Sequence, residues 1–152
     1  MGLDMYLAKK TYVKNWDYMR EEEKHTITVR KAGEVVSDID PSRISYIEEQ
    51  VMYWRKSNGI HNWFVENVQK GVDDCGTYYV ERSQLEDLVS LCEDAIGNPD
   101  EAHEFLPSVP GFFFGSTEYD EWYFQDLQDT VDALRKVLAE EGLGDFYYHS
   151  SW

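Results

Sequence analysis

The chain has 152 residues and a formal charge of −16, with 42% hydrophobic side chains and 15% aromatics, including five Trp, eleven Tyr and seven Phe. So many aromatics exclude a disordered acidic chain and predict a single folded domain over residues 1–152, long enough for a real core. The negative charge disfavours direct nucleic-acid binding, and it favours a protein partner with a basic surface.

Leu3 to Lys14 partly alternates and is rich in Tyr, Val and Thr, which predicts a strand. Trp16 to Lys24 reads as a polar connection. His25 to Lys31 alternates, with Ile27 and Val29 on one face, and is expected to pair with the first strand as an antiparallel ribbon. Asp40-Pro41 is a helix-start signal. Ile44, Ile47, Val51 and Trp54 then recur at spacings of three, four and three, which predicts a helix broken by Asn58-Gly59. A second short helix is expected from Ile60 to Gln69, stopped by Gly71, and a short strand at Thr77 to Val80.

Ser83-Gln84-Leu85-Glu86 fits a capping box. Leu85, Leu88, Val89, Cys92 and Ile96 form the buried stripe of the helix it opens. Asn98-Pro99 starts a short helix reaching Phe105, and Pro107 to Gly115 is a loop carrying Phe112, Phe113 and Phe114. Thr117 is expected to cap the longest helix, Glu118 to Glu140, with Phe124, Leu127, Val131, Leu134 and Leu138 facing inward. Gly142 ends it, and Asp145 to Ser150 reads as a closing strand. Early and terminal strands with helices between them predict an α+β fold, a small antiparallel sheet packed on one face by about four or five helices.

The charge is polarised. Residues 1–72 carry eleven acidic and eleven basic side chains, whereas residues 73–152 carry nineteen acidic groups against Arg82, Arg135 and Lys136. The neutral half leaves a homodimer open, since its charge does not oppose self-association. Cys75 and Cys92 make no disulfide framework and no Cys-x-x-Cys, so both read as reduced thiols. No apolar run approaches the roughly 18–20 residues of a membrane span, and the N-terminus has no signal-peptide pattern. The expectation is a cytoplasmic protein with no cofactor and no resident metal.

Two constellations stand out. His61, Asn62 and Glu66 cluster on one predicted helix, with Asp73 and Asp74 following. A His among carboxylates and an amide suits acid–base or ligand-binding chemistry, although no known metal-binding spacing is present. Cys75 beside His61 imitates a nucleophile pair, but the adjacent Asp73 and Asp74 disfavour a thiolate. The second constellation is Glu118, Tyr119, Asp120, Glu121, Trp122, Asp126 and Asp129, aromatics ringed by carboxylates. That combination suits Arg or Lys side chains of a partner, through cation–π contact and ion pairing together.

The strings Gly-Leu-Asp-Met-Tyr-Leu (Gly2 to Leu7), Ile-His-Asn-Trp-Phe-Val-Glu-Asn-Val-Gln (Ile60 to Gln69), Asp73-Asp74-Cys75, Gly-Phe-Phe-Phe-Gly-Ser (Gly111 to Ser116), Tyr119-Asp120-Glu121 and the ending Tyr147 to Trp152 resemble a family of small acidic bacteriophage and prophage proteins. The resemblance spans nearly the whole chain. It implies a phage setting in the host cell cytoplasm and supplies no catalytic residues.

The expected function is a non-enzymatic protein that binds a host or phage protein through its acidic, aromatic-studded surface, in the manner of an inhibitor of a nucleic-acid-binding or defence protein. The alternative is a small enzyme or small-ligand binder with its site around His61, Asn62, Glu66 and Asp73.

Overall fold

In a computed structural model, which describes residues 2–152, the regular elements are β1 (Asp4–Tyr12), β2 (Arg30–Lys31), β3 (Glu34–Val35), β4 (Tyr46–Arg55), α1 (Asn58–Asn67), β5 (Thr77–Val80), α2 (Arg82–Gly97), α3 (Ala102–Phe105), α4 (Glu121–Leu138) and β6 (Asp145–Ser151). The main sheet is antiparallel throughout, in the order β4-β1-β6-β5. The fold is α+β, as the order of elements in the sequence predicts.

Strand alternation divides the sheet into two unlike faces. Met5, Leu7, Trp54, Val80, Phe146 and Tyr148 point to one side and join a single core with Ile60, Phe64, Leu85, Leu88, Leu127 and Leu134 of the helices. Each large apolar side chain so buried contributes about 1.5–3 kcal/mol. On the opposite face Tyr12, Tyr46, Tyr53 and Tyr79 stay 41–54% exposed.

α4 lies along the core with Leu127, Thr130, Val131, Leu134 and Val137 inward. Thr130 is a polar residue in this stripe, and it has a specific use. The indole N–H of Trp54 on β4 donates to Thr130 Oγ1 at 2.7 Å, and that hydroxyl donates onward to the Asp126 carbonyl at 2.6 Å. The pair fixes the rotation of α4 against the sheet.

Several expectations are corrected. The helix expected over Ile44 to Trp54 is instead the strand β4, Tyr46–Arg55. Asp40 does cap, accepting from Ser42 N at 2.9 Å, but only for a single 3-10 turn at Pro41–Arg43. β-branched and aromatic residues then favour the pleat. The helical spacing arises from a bulge, because Leu7 pairs with Met52 while Ala8 pairs with Gln50. Val51 is the extra residue, so Val51 and Met52 both pack on the core.

His25 to Lys31 does not pair with β1, whose two edges are already taken by β4 and β6. Arg30–Lys31 pairs locally with Glu34–Val35, through a two-residue turn in which Ala32 (φ 51) and Gly33 (φ 83) are both left-handed, as such hairpins require. Residues 13–45 therefore form an arm, in which Val13 is the one buried side chain.

Asn58-Gly59 opens α1, and the left-handed residue before it is Lys56 (φ 56). The α2 box is formed two residues early, with Glu81 N donating to Gln84 Oε1 at 2.8 Å. α4 starts at Glu121, because Asp120 accepts from Tyr123 N at 3.0 Å, and Ser116 instead accepts from Glu118 N.

Thr130→Val keeps the shape but leaves the buried Trp54 N–H without an acceptor. It should cost about 1–3 kcal/mol in urea unfolding with an unchanged m-value.

Candidate functional site

α1 buries the apolar residues Ile60, Trp63, Phe64 and Val65, and this carries His61 inward with them to 1% exposure. His61 Nδ1 lies 2.6 Å from the Tyr148 hydroxyl and Nε2 lies 2.9 Å from Asp73 Oδ2. A neutral ring with its proton on Nε2 satisfies all three groups. Nε2–H donates to the carboxylate, and the Tyr148 O–H donates to Nδ1. Burial, with the Asp73 charge adding, holds the Tyr148 hydroxyl well above the usual phenol range, so it remains a donor. The second Asp73 oxygen accepts from the Trp152 indole at 3.1 Å. Around this chain Phe64 stacks on Tyr148 at 3.9 Å and Phe114 meets His61 edge-on at 5.3 Å.

The sequence-predicted cluster is thus only partly assembled. His61 and Asp73 meet. Asn62 is partly exposed and Glu66 is exposed on α1, and neither belongs to the set bonded to the ring. Asp74 turns to the Tyr78 hydroxyl at 2.8 Å and to Gly76 N at 2.9 Å, and these bonds hold its carboxyl below the usual range. Cys75 is a partly exposed free thiol at a left-handed position (φ 57). With both ring nitrogens of His61 taken by protein partners, no lone pair remains for a metal, a substrate or the Cys75 thiol. The arrangement ties α1 to β6 and to the 73–76 turn. Tyr148, which completes it, carries no signal in the sequence, because the strand pattern does not mark which tyrosine hydroxyl is buried and must find a partner.

The carboxylate–aromatic constellation forms a surface. Trp122 is 71% exposed, and it lines a recess of about 180 Å³ against the start of α1 together with Glu118, Asp120 and Asp126 and two basic residues, Arg55 and Lys56. Tyr119 stands beside it, its hydroxyl accepting from Ser108 N at 3.0 Å. Glu121 is exposed in the first turn of α4, where it complements the helix dipole. Asp129, one turn past Asp126, accepts from Gln125 at 2.7 Å.

Asp126 is partly buried here, and burial pushes its carboxyl up to about 6. The Ser57 hydroxyl works against that shift, while Asp129 and Asp120 add to it. Among the described residues, no three His, Cys, Asp or Glu side chains gather as a metal site.

The other wall of the recess was missed in the sequence. Asn58 is 3% exposed and spends its whole amide on the loop before α4. Nδ2 donates to the Phe114 and Ser116 carbonyls at 2.9 and 2.8 Å, and Oδ1 accepts from Val109 N at 3.0 Å. Gly59 follows because a Cβ there would stand 3.2 Å from the Leu106 carbonyl oxygen. Asn-Gly carries both meanings, helix breaker and close-packed joint, and only the three-dimensional neighbours separate them.

No protein-family model, curated protein or solved structure matches the chain.

Tyr148→Phe removes the donor to a buried imidazole nitrogen and should cost about 1–3 kcal/mol of unfolding free energy. For Asp126, the folded state holds its proton more tightly than the unfolded chain, so stability falls as pH rises from about 4 through about 6. Asp126→Asn should therefore stabilise the protein at pH 7.5 by about 1 kcal/mol after allowance for solvent screening, with the gain vanishing below about pH 4. Denaturation at the two pH values measures this.

Proposed function

We propose that the protein is a non-enzymatic binding protein that grips a basic surface of another protein through the Glu118–Asp129 region of α4 and the turn before it. The observation that carries this reading is the Trp122 indole, 71% exposed at a recess whose three carboxylates, Glu118, Asp120 and Asp126, outnumber its two cations, Arg55 and Lys56. A solvent-facing indole with carboxylates beside it suits a guanidinium or ammonium group, which gains ring and ion-pair contacts at once. The surrounding charge supports it. Residues 82–141 carry fifteen acidic and three basic side chains, a field that speeds approach of a basic partner and repels nucleic acid.

In this reading the partner is a host or phage protein whose own nucleic-acid-facing surface is covered, and the setting is the host cell cytoplasm of a phage infection. No helix of the described residues is long and apolar enough to cross a membrane. The His61 relay supports no competing catalytic reading, since its polar atoms are consumed within the fold.

Affinity capture from host lysate tests the proposal. A specific partner should be retained at low salt and released as salt rises. Trp122→Ala should weaken retention by about tenfold or more, and Glu118→Lys with Asp129→Lys should abolish it. Retention should also weaken as pH falls below about 6, because a cation beside Asp126 requires its ionised form. A partner held equally by wild type and by these variants would sink the reading.

A further inference from the structure

The sheet face turned away from the helices is paved with rings. Alternation places Tyr6, Lys10, Tyr12, Tyr46, Tyr53, Tyr79, Tyr147 and His149 on this side. The rings fall into two groups, one of them joined through Lys10. Tyr6 lies 5.4 Å from Tyr53 and 6.1 Å from His149, Tyr79 lies 5.8 Å from Tyr147, and Tyr12 lies 5.2 Å from Tyr46. Lys10 Nζ bridges Tyr46 and Tyr147 at 5.5 and 5.4 Å from their centroids. Trp16 extends the strip, its indole donating to the Tyr12 hydroxyl at 2.9 Å. Between these arrays Ala8, the one small side chain in its row, floors a trough of about 640 Å³ flanked by Tyr6, Tyr147 and His149.

We infer that this open face is a self-association surface, against which the same face of a second copy of the chain packs. The argument is from charge placement and area. Besides His149, counted as neutral, the ionisable acidic and basic residues on the face are Asp4, Lys10, Glu48, Arg55 and Asp145, a formal net of −1, whereas residues 82–141 carry −12. A chain charged to −16 meets a copy of itself at lowest cost where its net charge is small, and this face is such a place. Two sheets packed face to face sit about 10 Å apart, with each helical layer about 10 Å beyond its sheet. The acidic layers then lie roughly 30 Å apart, several times the Debye length of about 8 Å at physiological salt. Rings of one face fill the trough over Ala8 in the other, and the contact is isologous, so it closes at two copies.

The four strands present a footprint of roughly 500 Å² by strand spacing and rise. Side-chain relief and the Trp16 extension bring this toward the about 800 Å² per partner of a standard interface, which places the dimer at the reversible end, dissociating on dilution. A single-stranded nucleic acid would also stack on such rings, but Lys10, already shared by two tyrosines, with Arg55 and the Lys14 that lies over Trp16, does not offset the field of the whole chain.

Sedimentation velocity over a broad concentration range tests this on the whole chain. The expected result is a monomer–dimer equilibrium that tightens, or holds, as salt rises, because salt screens the remaining repulsion. This is opposite in sign to the salt response of the basic-partner contact, so the two readings fail separately. Tyr79→Lys with Tyr46→Lys, both at half-exposed positions, should leave the circular dichroism and unfolding midpoint near wild type and shift the species to monomer. Glu118→Lys should leave the dimer intact. A wild-type monomer at every concentration overturns the inference, as does a dimer that survives the tyrosine substitutions. Quenching of the tyrosine fluorescence by a single-stranded oligonucleotide at moderate salt would also overturn it.

Discussion

Tyr148 is held at every part of its side chain. Its ring is stacked on Phe64 from α1, its hydroxyl is bonded to His61 one helical turn earlier, and its backbone pairs with Leu7 and Tyr78 in the middle of the sheet. A tyrosine with no exposed surface must find a partner for its hydroxyl, and the partner must itself be satisfied. His61 is then obliged to face inward, Asp73 to reach its other nitrogen, and the 73–76 turn to close over the end of the sheet. The position of α1 follows, and with it the joint between Asn58 and the loop before α4. The recess under Trp122 is thus shaped, at one remove, by a buried phenol far from it in sequence.

How much of this the amino-acid order discloses depends on where the determining contact lies. Elements set by local chemistry are readable. The stripe of Leu85, Leu88, Val89 and Cys92 and the turn signal at Gly71 concern neighbours within a few residues. The strand from Tyr46 to Arg55 is not readable in the same way, because a bulge at Val51 converts period two into spacings that imitate a helix, and the bulge exists only relative to β1. His25 to Lys31 has the alternation of a strand, yet the competition for the edges of β1 is decided by β4 and by β6, more than a hundred residues away. The two candidate sites divide on the same line. Glu118 to Asp129 is a run on one turn and one helix, so its carboxylates and rings were bound to share a surface. His61 and Asp73 are readable as a pair, but the third member that completes their hydrogen bonds, Tyr148, is marked by no spacing.

The molecule separates its physical tasks by layer. The helical side holds the charge, the middle holds the apolar packing, and the outer sheet face holds tyrosines, whose rings tolerate water through their hydroxyls and bury well when covered. Asp126 sits at the boundary between the first two, and its raised pKa records how far the interior reaches toward the recess.

The arm formed by residues 13–45 has a consequence for how the protein opens. Its one buried side chain is Val13, and its internal bonds are mostly local and exposed, such as those of the Arg20–Lys24 turn, the exchange between the Asn15 amide and the His25 backbone, and the small hairpin at Ala32-Gly33. Free energy stored in core burial is therefore not shared with it. Few buried contacts and exposed hydrogen bonds are the features of segments that open locally, so the amides of the arm are expected to exchange with solvent while the sheet and helices stay closed. Its sequence can vary in length and composition with small effect on the unfolding of the body, since lengthening a surface connection costs only a few tenths of a kcal/mol.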